Sequence, residues 1–232
     1  MFRPMQLTPE DINAIVLSMK VALTATIIAL PFGFAVAWLI VYKAFRGKVL
    51  LEVLVNLPLT LPPVVIGYLL LLLLGRNGFI GKTLQEVGIP VIFTWKAAVV
   101  ASATVGFPLL VRSIRLGMES IETGLIDASR SLGAPWHDTL FSVVLPLSSR
   151  GILAGSSLMF ARSIGEFGAT IIVAGNIPGI TQTIPLAIYD YASSPSSTAM
   201  ALSLCIVSIM ISVTVLLLHD AVAGKIERER GR

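Results

Sequence analysis

Charge, cysteine and histidine are all scarce in this chain. Only 13% of its 232 residues are Asp, Glu, Lys or Arg, where a soluble domain carries roughly 25%. Apolar residues reach 55% with glycine left out of the count, and the mean hydropathy is +0.88. So few charges cannot screen that much apolar surface from water, which excludes an ordinary soluble enzyme. Disorder is excluded as well, because it needs low hydrophobicity and high charge. The single Cys205 rules out an internal disulfide framework, and His137 and His219 show no ligand spacing, so no metal site and no cofactor are expected. Cys205 reads as a small apolar residue in a helix. There is no GxxxxGK[ST] phosphate loop, so any ATP-derived energy has to come from a partner. A basic region followed by a short apolar core and a small-residue cleavage site is missing from the N-terminus, so no cleaved signal peptide is expected.

What is abundant is apolar sequence in long runs. A membrane-crossing helix needs about 20 such residues. Residues 21–42 and 53–75 are uncharged runs of that length. A shorter run, 97–111, extends back to Val91 and keeps Lys96 near its end, where a lysine can reach the headgroups. Residues 151–175 are interrupted by Arg162 and Glu166, and a fifth run extends from Thr198 to Leu218. The expectation is an all-α membrane protein with five spans, about 13–42, 51–75, 91–116, 150–175 and 198–219, in a single membrane domain over 1–232. Pro31 and Gly33, then Pro58, Pro62 and Pro63, then Pro108 interrupt the first three spans. Proline removes a backbone donor, and a membrane tolerates this where neighbouring helices or a water-filled cavity satisfy the freed groups. Such a pattern favours a bundle that moves or encloses a path over a simple anchor.

The basic residues orient the spans. Lys43, Arg46 and Lys48 follow span 1; Arg112, Arg115, Arg130 and Arg150 fall between spans 3 and 4; Lys225, Arg228, Arg230 and Arg232 follow span 5. The other side holds Arg3, Arg76 and Lys82, with Lys20 and Lys96 at nearby helix ends. The positive-inside rule makes the richer side cytoplasmic, so the N-terminus is expected outside and the C-terminus inside. Orientation in the lipid thereby explains the net charge of +4. A basic patch interleaved with aromatics is absent, and nucleic acid is not an expected partner.

The cytoplasmic loop between spans 3 and 4 is the most informative stretch. IETGLIDASRSLGA, residues 121–134, reads as a short amphipathic helix. Ile121, Leu125 and Leu132 can share an apolar side, and Gly133 suits a C-terminal cap. Pro135 then opens a second turn with Trp136 and His137. By itself this helix is either a connector or a seat for another protein. Its spacing is Asp127-Ala128-Ser129, three residues, Gly133, nine residues, then Val143-Val144-Leu145-Pro146. This resembles the coupling motif of ABC importer permeases: Glu-Ala-Ala, three residues, Gly, nine residues, Ile-x-Leu-Pro. Asp127 stands for the usual Glu, Ser129 for the second Ala and Val143 for the Ile. The stretches LPLTLPPVVIGYLLLLLLGRNGFIG, FPLLVRSIRLGMESI, ARSIGEFGATIIVAGNIPG and TQTIPLAIY extend the likeness to molybdate importer permeases over essentially the whole chain. The resemblance implies the type I ABC importer fold and a homodimer with its pore on the two-fold axis. It further implies cytoplasmic ATPase subunits seated at Asp127, Ala128, Ser129, Gly133, Leu145 and Pro146, and a periplasmic oxyanion-binding protein outside, the whole in the bacterial inner membrane.

Two charges fall inside a span. Arg162 and Glu166 are four residues apart, so they share a helical face and can pair. A charge at mid-membrane costs about 2.5–3.5 kcal/mol on insertion scales. Two readings stand side by side: a neutralised pair that holds the bundle, or a pore or gate lining in which Arg162 attracts an oxyanion and Glu166 prevents tight trapping. Gly165 and Gly168 beside them are either helix-packing positions or part of the seam around the pore. Asn176-Ile177-Pro178-Gly179 reads as a turn, and 182–191 as a short outer helix. Asp190 with Ser193, Ser194, Ser196 and Ser197 fits an ordinary solvated loop.

The expected function is an ABC permease that forms the path for molybdate, or tungstate, by alternating access. Sulfate or thiosulfate is the alternative cargo. An ATP-independent secondary transporter would call for inverted repeats with broken helices, and no repeat is evident in an odd number of spans. An intramembrane enzyme would need partners that Glu166 lacks.

Overall fold

The computed structural model describes residues 7–194 and 197–230, the last six as backbone only. Arg3, Ser196 and Arg232, and the side chains of Lys225, Arg228 and Arg230, lie outside the described residues. Among the described residues there are helices and connecting turns but no strands.

Helix α1, Pro9–Tyr42, opens on a capping box in which Thr8 and Asp11 satisfy each other's backbone N–H, with Pro9 in the first turn. It runs 34 residues through Pro31 without a break. Two shorter helices, α2 (Lys48–Thr60) and α3 (Pro63–Leu74), stand where one span over 51–75 was expected, and they meet at 116°. The cause is the Pro62-Pro63 pair. A residue before proline is pushed out of the helical region, and both Leu61 (ψ 144°) and Pro62 (ψ 134°) are extended. Pro58, one proline alone, stays inside α2.

A short helix α4 (Phe79–Glu86) leads to α5, Trp95–Glu119, capped by Thr94. Helix α5 is the centre of the bundle and packs against both α1 and α9. Then come α6 (Thr123–Ser131), α7 (Trp136–Thr139), a π-helical turn (Leu140–Val144) and α8 (Leu145–Leu147). Pro146 has no N–H to give, and the register slips so that the Leu145 N–H reaches the Leu140 carbonyl five residues back.

The expected span 150–175 is also discontinuous. Helix α9, Ser149–Ile164, meets the preceding 136–147 segment at 65°. It ends at Gly165, and the chain starts again as α10, Gly168–Val173. The outer helix α11 covers Ile184–Ala192, two residues shorter at its start than expected, and α12 runs Thr198–Arg230. Among the described residues, helices α1, α5 and α12 are each long and apolar enough to cross a membrane; the count is up to five if each bent pair is one span.

Glycine sets the closest approaches. Gly117 of α5 and Gly151 of α9 face each other, so that a methyl on Gly151 would lie 2.8 Å from the Gly117 Cα. Small residues let membrane helices approach closely enough for backbone contact. Gly151→Val is therefore expected to cost about 1–3 kcal/mol by overpacking, read as a lower unfolding temperature of the purified protein. Gly224→Ala, which meets nothing within 4 Å, is expected to show no such loss.

Candidate functional site

The loop after α5 is built around the end of α6. Gly133 adopts φ +86°, the left-handed conformation suited to glycine. The Ala134 N–H bonds the Ser129 carbonyl and the Gly133 N–H bonds the Arg130 carbonyl, which together make a Schellman end. Gly133 thus stops the helix where the sequence placed its cap. Ser129 turns inward, its Oγ 3.0 Å from Thr139 Oγ1. Asp127 and Ala128 turn outward, and no residue of α6 is buried.

The apolar side expected for this helix is not packed within the chain. Ile121, ahead of α6, is buried, but Leu125 is exposed and Leu132 is 89% exposed. Ile126 of α6 packs against the core, whereas these two side chains are left exposed. Leu145 and Pro146 lie in α8, away from that face in sequence and exposed.

The two helix breaks meet in the middle of the molecule. The chain between α9 and α10 sits against the start of α3: a methyl on Gly168 would lie 3.0 Å from Pro63 Cβ. In return, a methyl on Gly67 of α3 would lie 2.8 Å from the Ala169 carbonyl oxygen of α10. Glu166 occupies this junction. It was expected on a continuous helical face with Arg162, but it follows the end of α9, because its carboxylate caps α10 instead: Oε1 accepts the Ala169 N–H at 2.8 Å. The pair still forms, with Arg162 Nη2 2.7 Å from Glu166 Oε2. The carboxylate side chain is 1% exposed and the Arg162 side chain 31%. The site therefore encloses the negative charge and presents the positive one. Gly165, at the end of α9, is exposed beside it.

Several polar groups carried no distinct role in the sequence. Arg115 lies 3.3 Å from Glu52 of α2 and 2.7 Å from Glu119. Arg115 and Glu52, with Arg112 and Asn56, line a cavity of about 190 Å³ between α2 and α5. The arginines had been read only as markers of sidedness, since the position of Glu52 opposite them depends on how α2 packs. Asp190 is no plain loop residue: it accepts the amides of Asn176 and Gln182, each at 2.8 Å. Tyr191 donates to Asp11 Oδ1 at 2.9 Å. Burial first, and the hydrogen bond to Asp11 next, hold its phenol above its ordinary pKa. His219 Nδ1 lies 3.1 Å from Ser157 Oγ. Among the described residues no group of three His, Cys, Asp or Glu could hold a metal ion.

Residues 29–228 match the family described as binding-protein-dependent transport system inner membrane component. The molybdenum transport system permease protein ModB of Escherichia coli K12 is 48% identical over 97% of this chain and 99% of that protein. The sulfate transport system permease protein CysT of Salmonella typhimurium LT2 is 35% identical over 84% of this chain and 74% of that protein. Among solved structures, a methionine ABC transporter in inward-facing conformations aligns at TM-score 0.74 and 17% identity, over 97% of this chain and 99% of that one. The fold is that of the type I ABC importer permeases. With a family match spanning most of its length, the chain belongs to the binding-protein-dependent transport system inner membrane components.

Proposed function

We propose that this chain is the permease subunit of an ATP-driven importer that carries molybdate into the cytoplasm. The near-full-length match to a molybdenum permease carries this reading. Sulfate has the weaker claim, because its permease is the more distant relative and covers less of the chain. Two copies form the path, with the N-terminus outside and the C-terminus in the cytoplasm. Helix α2 supports a second copy: Val55 is its one buried residue, and Val49, Leu50, Val53 and Leu54 stand exposed beside the bent span.

The coupling end is α6. Asp127, Ala128 and the exposed Leu125 and Leu132 form the face an ATPase subunit grips; Ser129 and Gly133 fix the helix on its own loop, and Leu145 and Pro146 set the turn leading into α9. An oxyanion-binding protein docks at the opposite end, where α11 lies. Partner affinity that differs between two states of the bundle drives alternating access, and ATP hydrolysis by the partner resets it. The gate is the junction of the two broken spans, where Arg162, Gly165, Glu166 and Gly168 meet α3. Arg162 draws in a dianion, and the enclosed Glu166 keeps that attraction too weak for trapping.

Removing Arg162 leaves a buried carboxylate uncompensated, whereas removing Glu166 leaves a cation that already reaches solvent. Arg162→Met is thus expected to cost about 3–5 kcal/mol of stability, and Glu166→Gln less, measured by thermal unfolding in detergent; the reverse order would contradict the burial of the carboxylate. In liposomes holding the permease, its ATPase and the binding protein, labelled molybdate is expected to accumulate only with ATP and to be competed more strongly by tungstate than by sulfate. Uptake without ATPase or ATP, or uptake of sulfate alone, would overturn the proposed function.

A further inference from the structure

Helix α1 is tied at both ends to segments that lie on opposite faces of the bundle. At the end shared with the α6 loop, Trp136 stacks into an aromatic clamp with two α1 side chains one turn apart. Its ring centroid lies 6.0 Å from Trp38 and 5.7 Å from Tyr42. Lys43 stands 5.2 Å over Trp38 and 5.8 Å over Trp136, and Arg130 of α6 reaches the same Trp136 ring at 6.0 Å. Both indole Nε1 atoms are buried without a hydrogen-bond partner. An unpaired buried donor is unfavourable, so packing of the rings, not polar bonding, holds this junction together. Through Ser129 and Thr139 the clamp is joined to α6 itself.

At the far end, two buried α1 side chains hold the outer segment. Asp11 Oδ1 accepts the Tyr191 hydroxyl at 2.9 Å, and Ser18 Oγ accepts the Ile184 N–H at 2.8 Å. From Asp11 to Trp38 is about 40 Å of helix at the standard rise, more than the roughly 30 Å of a hydrocarbon core. Both bent spans carry a break at mid-length, but α1 carries none. It is the one continuous helix that joins the α6 loop to α11 among the described residues.

We infer that α1 is the transmission rod of the transporter: Trp136 and Tyr191 are positioning residues that make the coupling loop, α1 and α11 move as one body. Docking at α11 is then sensed at α6 through displacement of α1. This rests on the permease reading above. Coupling between two sites of a protein commonly amounts to a 5–150-fold effect, and a stiff packed element with a contact at each end can carry it.

The test uses the full complex of permease, ATPase and binding protein in liposomes. The readouts are basal ATPase rate, its stimulation by molybdate-loaded binding protein, and retention of the ATPase subunit. Tyr191→Phe removes one hydroxyl far from the ATPase, and Trp136→Ala removes the clamp. Each is expected to cut stimulation about fivefold or more, with basal rate and retention unchanged. Trp136→Phe keeps a ring and should restore most of the stimulation. The double variant should be no worse than the worse single, because both act on one rod. Full stimulation in Tyr191→Phe, or losses that multiply in the double variant, would overturn the inference. A wild-type complex that loaded binding protein fails to stimulate would overturn the permease reading and this inference with it.

Discussion

A bilayer offers no hydrogen-bond partners to a helix that stops half way, and this fold rests on how it seals two such stops against each other. The α2–α3 break, forced by Pro62-Pro63, and the break between α9 and α10 lie face to face. Gly67 and Gly168 make the approach possible, because a side chain at either would strike the backbone or proline ring opposite. Glu166 completes the seal by capping α10 through the Ala169 N–H. The cost of an enclosed carboxylate is offset by this bond and by Arg162 at 2.7 Å. Without the glycines the breaks could not meet, and without the carboxylate α10 would begin with an unsatisfied donor.

The scarcity of charge gives each charged group weight. Most of the described basic residues lie at or near helix ends and in loops, the placement from which the orientation was expected. The few placed deeper occur in local arrangements: Arg162 with Glu166 at the breaks, Arg115 with Glu52 and Glu119 beside a cavity. An importer of a dianion needs attraction without capture. The proposed gate pair sets a buried carboxylate behind a partly exposed arginine.

The sequence made the spans legible because runs of some 20 apolar residues have few alternatives to crossing a membrane. It also made the end of α6 legible, since Gly133 has a conformational reason to stand there. The Pro62-Pro63 pair was visible as an interruption, yet the sharpness of the bend depends on what α3 packs against. The stop after Ile164 has no proline to announce it; Glu166 caps α10 through a local bond to the N–H three residues on, but i,i+4 spacing to Arg162 suggested an unbroken helix. Leu125 and Leu132 had the right pattern for an apolar face, but pattern does not say whether the covering surface is in the same chain. The aromatic clamp could be read only in part: Trp38 and Tyr42 share a helical face, while their meeting with Trp136 across nearly a hundred residues needs the folded bundle.

The molecule combines one long continuous helix with two breaks packed against each other. Helix α1 is continuous and held at both ends; the two breaks meet in close contact through Gly67 and Gly168. On the proposed reading, alternating access moves α1 and the coupling loop together, as one body. The most direct measurement is the distance between the α6 helices of the two proposed copies in the assembled complex, with and without ATP. Gly124 of α6 meets nothing within 4 Å, so a spin label on Gly124→Cys, with Cys205→Ser removing the native thiol, reports that distance. Closure of the helices toward each other on ATP binding, and recovery on hydrolysis, is the expected result. An α6–α6 distance that stays the same in both states, while ATP is hydrolysed and molybdate enters, would contradict the account.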